Sequence, residues 1–202
     1  MNSSGNPKAH RRLAAILAAD VVGYSGLMGK DEEGTLALLK SLRREVIEPR
    51  VLDHRGRVFK TMGDGFLAEF PSPIGALQCA VEIQEALSSP LSEDPVQRLQ
   101  LRIGINLGDI IIEEDGDIFG DGVNIAARLE QMAEPGSIYI SGKVFEEVRD
   151  KVPYPFEDRG EHQVKNIARP VRAYYLSVPL HAGSVPPVRS TYPLPDKPSI
   201  AV

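Results

Sequence analysis

Hydrophobic and polar positions repeat with two different periods along this chain, and the switches between them mark its elements. Leu13 to Ala19 is unbroken apolar sequence that stops at Asp20, which predicts a buried strand ending on a carboxylate. Asp31, followed by Glu32 and Glu33, reads as a helix N-terminus with acids in the first turn, where backbone N–H groups lack partners. Leu36, Leu39, Leu42, Val46 and Ile47 then keep helical spacing as far as Pro49, which is expected to end the helix. Arg57 to Met62 and Phe66 to Phe70 flank Gly63-Asp64-Gly65, a hairpin signal. A second helix is expected over 73–88. Strands at Leu101 to Leu107 and Ile110 to Ile112, joined around Gly108-Asp109, precede a helix over 122–132, a short strand at Ser137 to Ile140 and a helix over 142–150. Two late strands, near 155–161 and 171–177, close the series. A β-α-β-β-α-β core with these additions predicts an α+β, ferredoxin-like sandwich extended by C-terminal strands and a helix.

The pattern fades at both ends. Residues 1–10 are polar with Gly and Pro and are expected to be a flexible N-terminal tail, which leaves 11–177 as the folded unit. Proline is dense over 178–202, as in an extended linker. The closing Ser-Ile-Ala-Val reads either as the first residues of a strand in a downstream domain or as a strand folded back on this one. A length of 202 residues suits one domain with tails, and 42% hydrophobic with 25% charged content is ordinary for a globular core. A formal net charge of -5 and a pI near 5.4 argue against a nucleic-acid-binding module, which shows a basic face. They leave room for a small anionic substrate met by a few cations and a metal. The single cysteine, Cys79, excludes an internal disulfide and a thiolate zinc cluster, and shares a helical register with Ile74, Leu77 and Val81 that places it in the core. No stretch reaches the roughly 18 apolar residues of a membrane span, and the N-terminus lacks a signal-peptide pattern. A soluble protein of the reducing cytoplasm is expected.

Candidate chemistry gathers in three places. Asp20 ends an apolar strand, where a carboxylate needs a compensating partner, and Gly23 behind it permits a tight turn. Asp64 sits between two glycines, which is also plain turn chemistry. If the first strand and the hairpin are neighbours, both carboxylates reach one end of a sheet and form the hard-oxygen pair that Mg²⁺ takes together with phosphates and water. Strand alternation puts Val58, Lys60 and Met62 on one face, so Lys60 is either a snorkelling edge lysine or a ligand-binding cation. In DGDIFGDGVNIAARLE, Asn124 and Arg128 share a helix stripe while Val123, Ala126 and Ala127 face the core. An amide and a guanidinium on one stripe can hold a ribose and a phosphate. The glycines ahead of them match neither a P-loop nor a dinucleotide fingerprint.

Three blocks, LAADVVGYSGLM, FKTMGDGFLAEF and DIFGDGVNIAARLE, carry a resemblance by their order and spacing. From about residue 11 to 177 the chain resembles the catalytic domain of class III adenylate and guanylate cyclases, particularly the bacterial adenylate cyclases. The resemblance implies that Asp20 and Asp64 are metal-binding aspartates holding two Mg²⁺ or Mn²⁺ ions per site. It implies that Lys60 and Asp117 read the purine, and that Asn124 and Arg128 support the ribose and the transition state. It further implies a head-to-tail homodimer, with the metal aspartates of one subunit facing the purine-reading and transition-state residues of the other. An ammonium at Lys60 and a carboxylate at Asp117 complement adenine's N1 acceptor and exocyclic amine donor, which favours ATP over GTP. Two departures stand out: Ala18, where the family often has a large aromatic, and Val164-Lys165-Asn-Ile-Ala-Arg169, where Lys165 and Arg169 are only candidate phosphate contacts. Asp115 and Asp121 read as solvated loop acids.

The expected activity is therefore conversion of ATP to 3′,5′-cyclic AMP and pyrophosphate. A guanylate cyclase or other nucleotidyl-transfer enzyme is the first alternative, and a non-catalytic regulatory or dimerisation module the second. Such a module has no need of all six polar residues, so their joint presence favours an enzyme.

Overall fold

The computed structural model describes residues 10–87, 93–113, 117–163, 167 and 170–177. Residues 1–9 of the tail expected over 1–10, the linker over 178–202 with its closing strand, and Asp115, Lys165 and Arg169 lie outside the described residues, while His10, counted with the tail, is the first residue of a strand. The chain runs β1 (His10–Val21), α1 (Tyr24–Met28), α2 (Glu32–Ser41), a π-helical segment (Leu42–Ile47), α3 (Glu48–Asp53), β2 (Arg57–Met62), β3 (Gly65–Phe70) and α4 (Pro73–Leu87). After a 3₁₀ turn (Val96–Arg98) come β4 (Leu101–Ile112), β5 (Ile118–Phe119), α5 (Asp121–Met132), β6 (Ser137–Ser141), α6 (Gly142–Val148), β7 (Glu157–His162) and β8 (Val171–Ser177).

These strands form one eight-stranded sheet in the order β2-β3-β1-β4-β6-β8-β7, with β5 paired to β4. β1 lies between β3 and β4 and is antiparallel to both, which is the βαββαβ arrangement expected from the pattern. β6 adds parallel to β4, and β8 and β7 extend the sheet antiparallel. Gln84 of α4, 3% exposed, donates to the carbonyls of Leu101 at 3.0 Å and Ser137 at 3.2 Å, so a buried amide joins the starts of β4 and β6.

The two sheet faces are packed unequally. Ala15, Leu17, Ala19, Phe66, Phe70, Ile103 and Ile105 meet α3, α4 and α6 in the main core, with Val51, Leu77, Ile83, Val144 and Val148 supplied by the helices. Cys79 belongs to it as expected, and burial pushes its thiol up to about 12. Residues of the opposite register, Ala14, Ile16, Ala18, Leu67 and Ile110, meet Ala126 of α5 in a smaller cluster. Val123 and Ala127 pack against that cluster, as the stripe predicts.

Two expectations about elements are corrected. Pro49 does not end the first long helix, which continues as α3 to Asp53. Just ahead of the proline the Glu48 N–H bonds the Arg43 carbonyl, a π-type step that changes the ladder's register before the residue that can donate nothing. Nor do Gly108 and Asp109 break a strand: β4 pairs with β1 continuously from Leu101 to Ile112. Gly108 serves close packing instead, since a Cβ there would lie 3.0 Å from the Gly122 Cα at the start of α5.

Candidate active site

Alternation along β1 places Asp20 on the α5 face with Ile16 and Ala18, while Leu17, Ala19 and Val21 point into the main core. The antiparallel pairing of Ala19 with Phe66 then brings the β2–β3 turn level with Asp20. That turn consists of Gly63 and Asp64, with Gly63 at φ 61, the positive value a two-residue hairpin requires. Asp20 and Asp64 are thus brought together, as their shared strand-end placement suggested. Burial, followed by a side-chain hydrogen bond to Asp20, pushes the Asp64 carboxyl up to about 6. Two carboxylates crowded at a partly dry site resist ionising together and call for positive charge between them.

Part of that charge comes from a residue that sequence reasoning missed. Arg102 of β4 pairs across the strand with Asp20, and its Nη2 donates to Asp20 Oδ2 at 2.6 Å. Its Nε lies 3.5 Å from Oε1 of Glu130 on α5. Burial first, then the negative charge of Asp20, pushes the Glu130 carboxyl up to about 7. The signal for Arg102 lies in β4 itself: Arg102, Gly104, Asn106 and Gly108 share one face, while Leu101, Ile103 and Ile105 share the other. A face of small and polar residues opposite an apolar one marks a place where another element comes close.

Lys60 reaches the site by a route different from simple alternation. Val58 pairs with Ala68 but Lys60 pairs with Leu67, so a bulge at Phe59 places two residues of β2 where β3 advances by one. The expectation that Val58 and Lys60 share a face is therefore corrected. Val58 joins the main core with Ala68, and Lys60 turns to the α5 face with Leu67. There its Nζ lies 3.4 Å from Asp117 Oδ2 and 5.5 Å from the centroid of the Phe119 ring. The two side chains are 38% and 34% exposed, so this pair is open to a ligand and is not a sealed core ion pair. Asp117 and Phe119 are brought over β2 because β5 pairs Ile118 with Ile112, a short strand absent from the sequence reading.

No contact links Asn124 or Arg128 to these two groups among the described residues, although Gln131, the partner of Arg128, lines the cleft beside Asp20. Asn124 and Arg128 are both exposed on α5, and Arg128 donates to Gln131 of its own helix at 2.7 Å. Asp121, read as a solvated loop acid, is an exposed first-turn residue of α5. Between α5 and the β1–β3 end, a cleft of about 290 Å³ is lined by Asp20, Met62, Gly65, Arg102, Glu130 and Gln131. Among the described residues no group of three or more His, Cys, Asp or Glu is placed to hold a metal. The protein offers two carboxylates beside an open cleft, a donor set that suits a hard divalent cation completing its shell with water and phosphate oxygens.

The family model for the adenylate and guanylate cyclase catalytic domain matches residues 8–178. A Rhizobium meliloti (strain 1021) protein named "Putative adenylate cyclase 3" is 50% identical over 195 residues, spanning 95% of this chain and 33% of that protein. The human guanylate cyclase soluble subunit beta-2 is 26% identical over 184 residues, 83% of this chain and 29% of that protein. The chain thus spans a third or less of the length of these two relatives. Among solved structures, an adenylate/guanylate cyclase/hydrolase from Silicibacter pomeroyi superposes with a TM-score of 0.77 at 49% identity, over 84% of this chain and 99% of the other.

Proposed function

This chain belongs to the adenylate and guanylate cyclase catalytic domain family, and from that premise we propose that it converts ATP to 3′,5′-cyclic AMP and pyrophosphate. The observation that carries the choice of ATP is the Lys60–Asp117 pair, 3.4 Å apart and turned by the β2 bulge onto the open face. Adenine presents an acceptor at N1 and a donor at its exocyclic amine, which an ammonium and a carboxylate meet one for one. Guanine reverses both groups and would leave Lys60 and Asp117 facing like partners, a mismatch that polar sites reject strongly.

In the reaction the ribose 3′-oxygen attacks the α-phosphorus, the bond from that phosphorus to the bridging oxygen of pyrophosphate breaks, and the hydroxyl proton passes to solvent. Asp20 and Asp64 hold the divalent cations. Two Mg²⁺ or Mn²⁺ ions bound there would lower the pKa of the attacking hydroxyl and neutralise the leaving pyrophosphate. Asn124 orients the ribose, and Arg128 meets the charge that develops at the α-phosphate. The exposure of Asn124 and Arg128 on α5 supports a head-to-tail homodimer in which each subunit completes its partner's site.

The test is product formation from ATP and GTP with Mg²⁺ or Mn²⁺ on purified protein. Cyclic AMP is the expected product, Asp20→Ala and Asp64→Ala should fall to background, and Arg128→Ala should lose about 10²–10³-fold in kcat. Mixing Asp64→Ala with Arg128→Ala should restore part of the activity through one intact composite site. Lys60→Glu should shift preference toward GTP. Cyclic GMP as the product from the wild type, or full activity in either aspartate variant, would overturn the assignment.

A further inference from the structure

Arg102 stands where three charges meet. Its Nη2 is bonded to Asp20 at 2.6 Å, while its Nε and Glu130 Oε1 face each other at 3.5 Å without closing a hydrogen bond. Among the described residues these two are the buried side-chain polar atoms that lack a hydrogen-bond partner. Unpaired buried atoms are costly, and two of opposite sign left side by side mark a bond that another arrangement of the guanidinium would close.

Glu130 is held in that position by the backbone. Gly104 lies two residues beyond Arg102 on the same face of β4, and a Cβ there would fall 2.2 Å from the Glu130 N and 2.3 Å from the Ala126 carbonyl oxygen. Only glycine lets α5 lie so close to the strand. Asn106, next on this face, donates to the Gly122 carbonyl at 3.1 Å and fixes the other end of the helix. The Glu130 side chain, 11% exposed, is therefore seated over Arg102 and not free in solvent.

We propose that Arg102 is a resident counter-ion of Asp20 that gives way when a divalent cation binds, and that Glu130 is the positioning residue that receives its guanidinium. The proposal rests on the reading of Asp20 as a metal ligand. Arg102 and a divalent cation compete for the same carboxylate. An arginine released with no acceptor nearby would leave its charge unpaired, which disfavours cation binding. The open Oε1 of Glu130 lets the guanidinium change partners by a small rotation, exchanging one charge-assisted hydrogen bond for another.

The experiment measures Mn²⁺ affinity without nucleotide, by the electron paramagnetic resonance signal of free Mn²⁺ and by calorimetry, at mildly alkaline pH. Wild type, Arg102→Met, Glu130→Gln and the double variant are compared, with thermal unfolding to establish that each is folded. Arg102→Met should bind Mn²⁺ about threefold tighter or more, and Glu130→Gln about threefold weaker or more, with coupling of that size expected for groups in contact. In the Arg102→Met background, Glu130→Gln should have no further effect. Equal weakening by Glu130→Gln in both backgrounds, or unchanged or weaker binding by Arg102→Met, overturns the proposal. Should Arg102→Met not fold, Arg102→Lys replaces it, with tighter binding expected because an ammonium cannot reproduce the guanidinium fork. Absence of Mn²⁺ binding by wild type, or undiminished binding by Asp20→Asn, places the failure in the metal reading itself.

Discussion

On one face of the sheet Leu17, Ala19, Ile103 and Ile105 disappear beneath α3, α4 and α6, whereas on the other Ala18, Asp20, Arg102 and Gly104 meet α5. The same two central strands supply both sets, because consecutive residues point to opposite sides. The covered face is filled by large aliphatic side chains and carries the stability. The sparsely covered face keeps small residues where α5 must approach and charged ones where the cleft stays open. Its charges are partly buried and crowded, which is unfavourable for folding and marks this face as the candidate active site.

The sharpest way to break this division is to damage the covered face alone. Leu77 of α4 is fully buried in the main core, and Leu77→Ala should cost about 2–5 kcal/mol of stability by removing packed methyl groups and leaving a cavity. Urea unfolding measures the loss. Cyclase turnover per folded molecule should stay near wild type, and a parallel fall in turnover would show that the two faces are not separable.

Gly104→Ala probes the other face with a smaller change. The added Cβ meets helix backbone at 2.2 Å, so α5 must shift, at an expected cost of about 1–3 kcal/mol. Here activity should fall by more than stability, because Asn124, Arg128 and Glu130 all ride on α5. Turnover and unfolding midpoint on one preparation decide the matter. A loss of stability with unchanged turnover would mean that the seating of α5 on β4 is not what positions the cleft.

Most of the covered face was legible in the sequence, since Ala15, Leu17 and Ala19 lie in one apolar run and the helix over 73–88 shows the period that burial imposes, although Leu13 at the head of that run is 59% exposed. The six polar candidates were legible as types and spacings, and the structure brings two pairs of them together. What the pattern hid depends on contacts between distant segments. The bulge at Phe59 reverses the face of Lys60, and no local period reveals a bulge whose cause is the pairing with β3. Arg102 looked like one charge in an apolar strand until the register with β1 set it opposite Asp20. Gly108-Asp109 looked like a turn because glycine in a strand and glycine in a turn are the same letter, and only the approach of α5 separates them. Pro49 misled for a local reason, as a π-type step just upstream let the helix continue past it.

The smallest effect in this series concerns the start of α2, where few side chains are buried. The Asp31 carboxylate accepts from the Gly34 N–H at 2.9 Å and caps the helix, with Glu32 and Glu33 adding negative charge to its first turn. Asp31→Ala should cost about 1 kcal/mol, which for a domain of this size lowers Tm by about 2–4 °C. Two features hold the loss to that size. Thr35, the buried residue of α2, still donates through its hydroxyl to the main-chain carbonyl at position 31, and that bond does not need the aspartate side chain. Asp31→Asn keeps an acceptor at the cap and should retain most of the stability, so the pair of variants separates the hydrogen bond from the charge. Turnover should be unchanged in both, because the cap makes no contact with the cleft beside Asp20. A fall in turnover from Asp31→Asn would show that the acidic first turn contributes its charge to the site from the opposite side of the sheet.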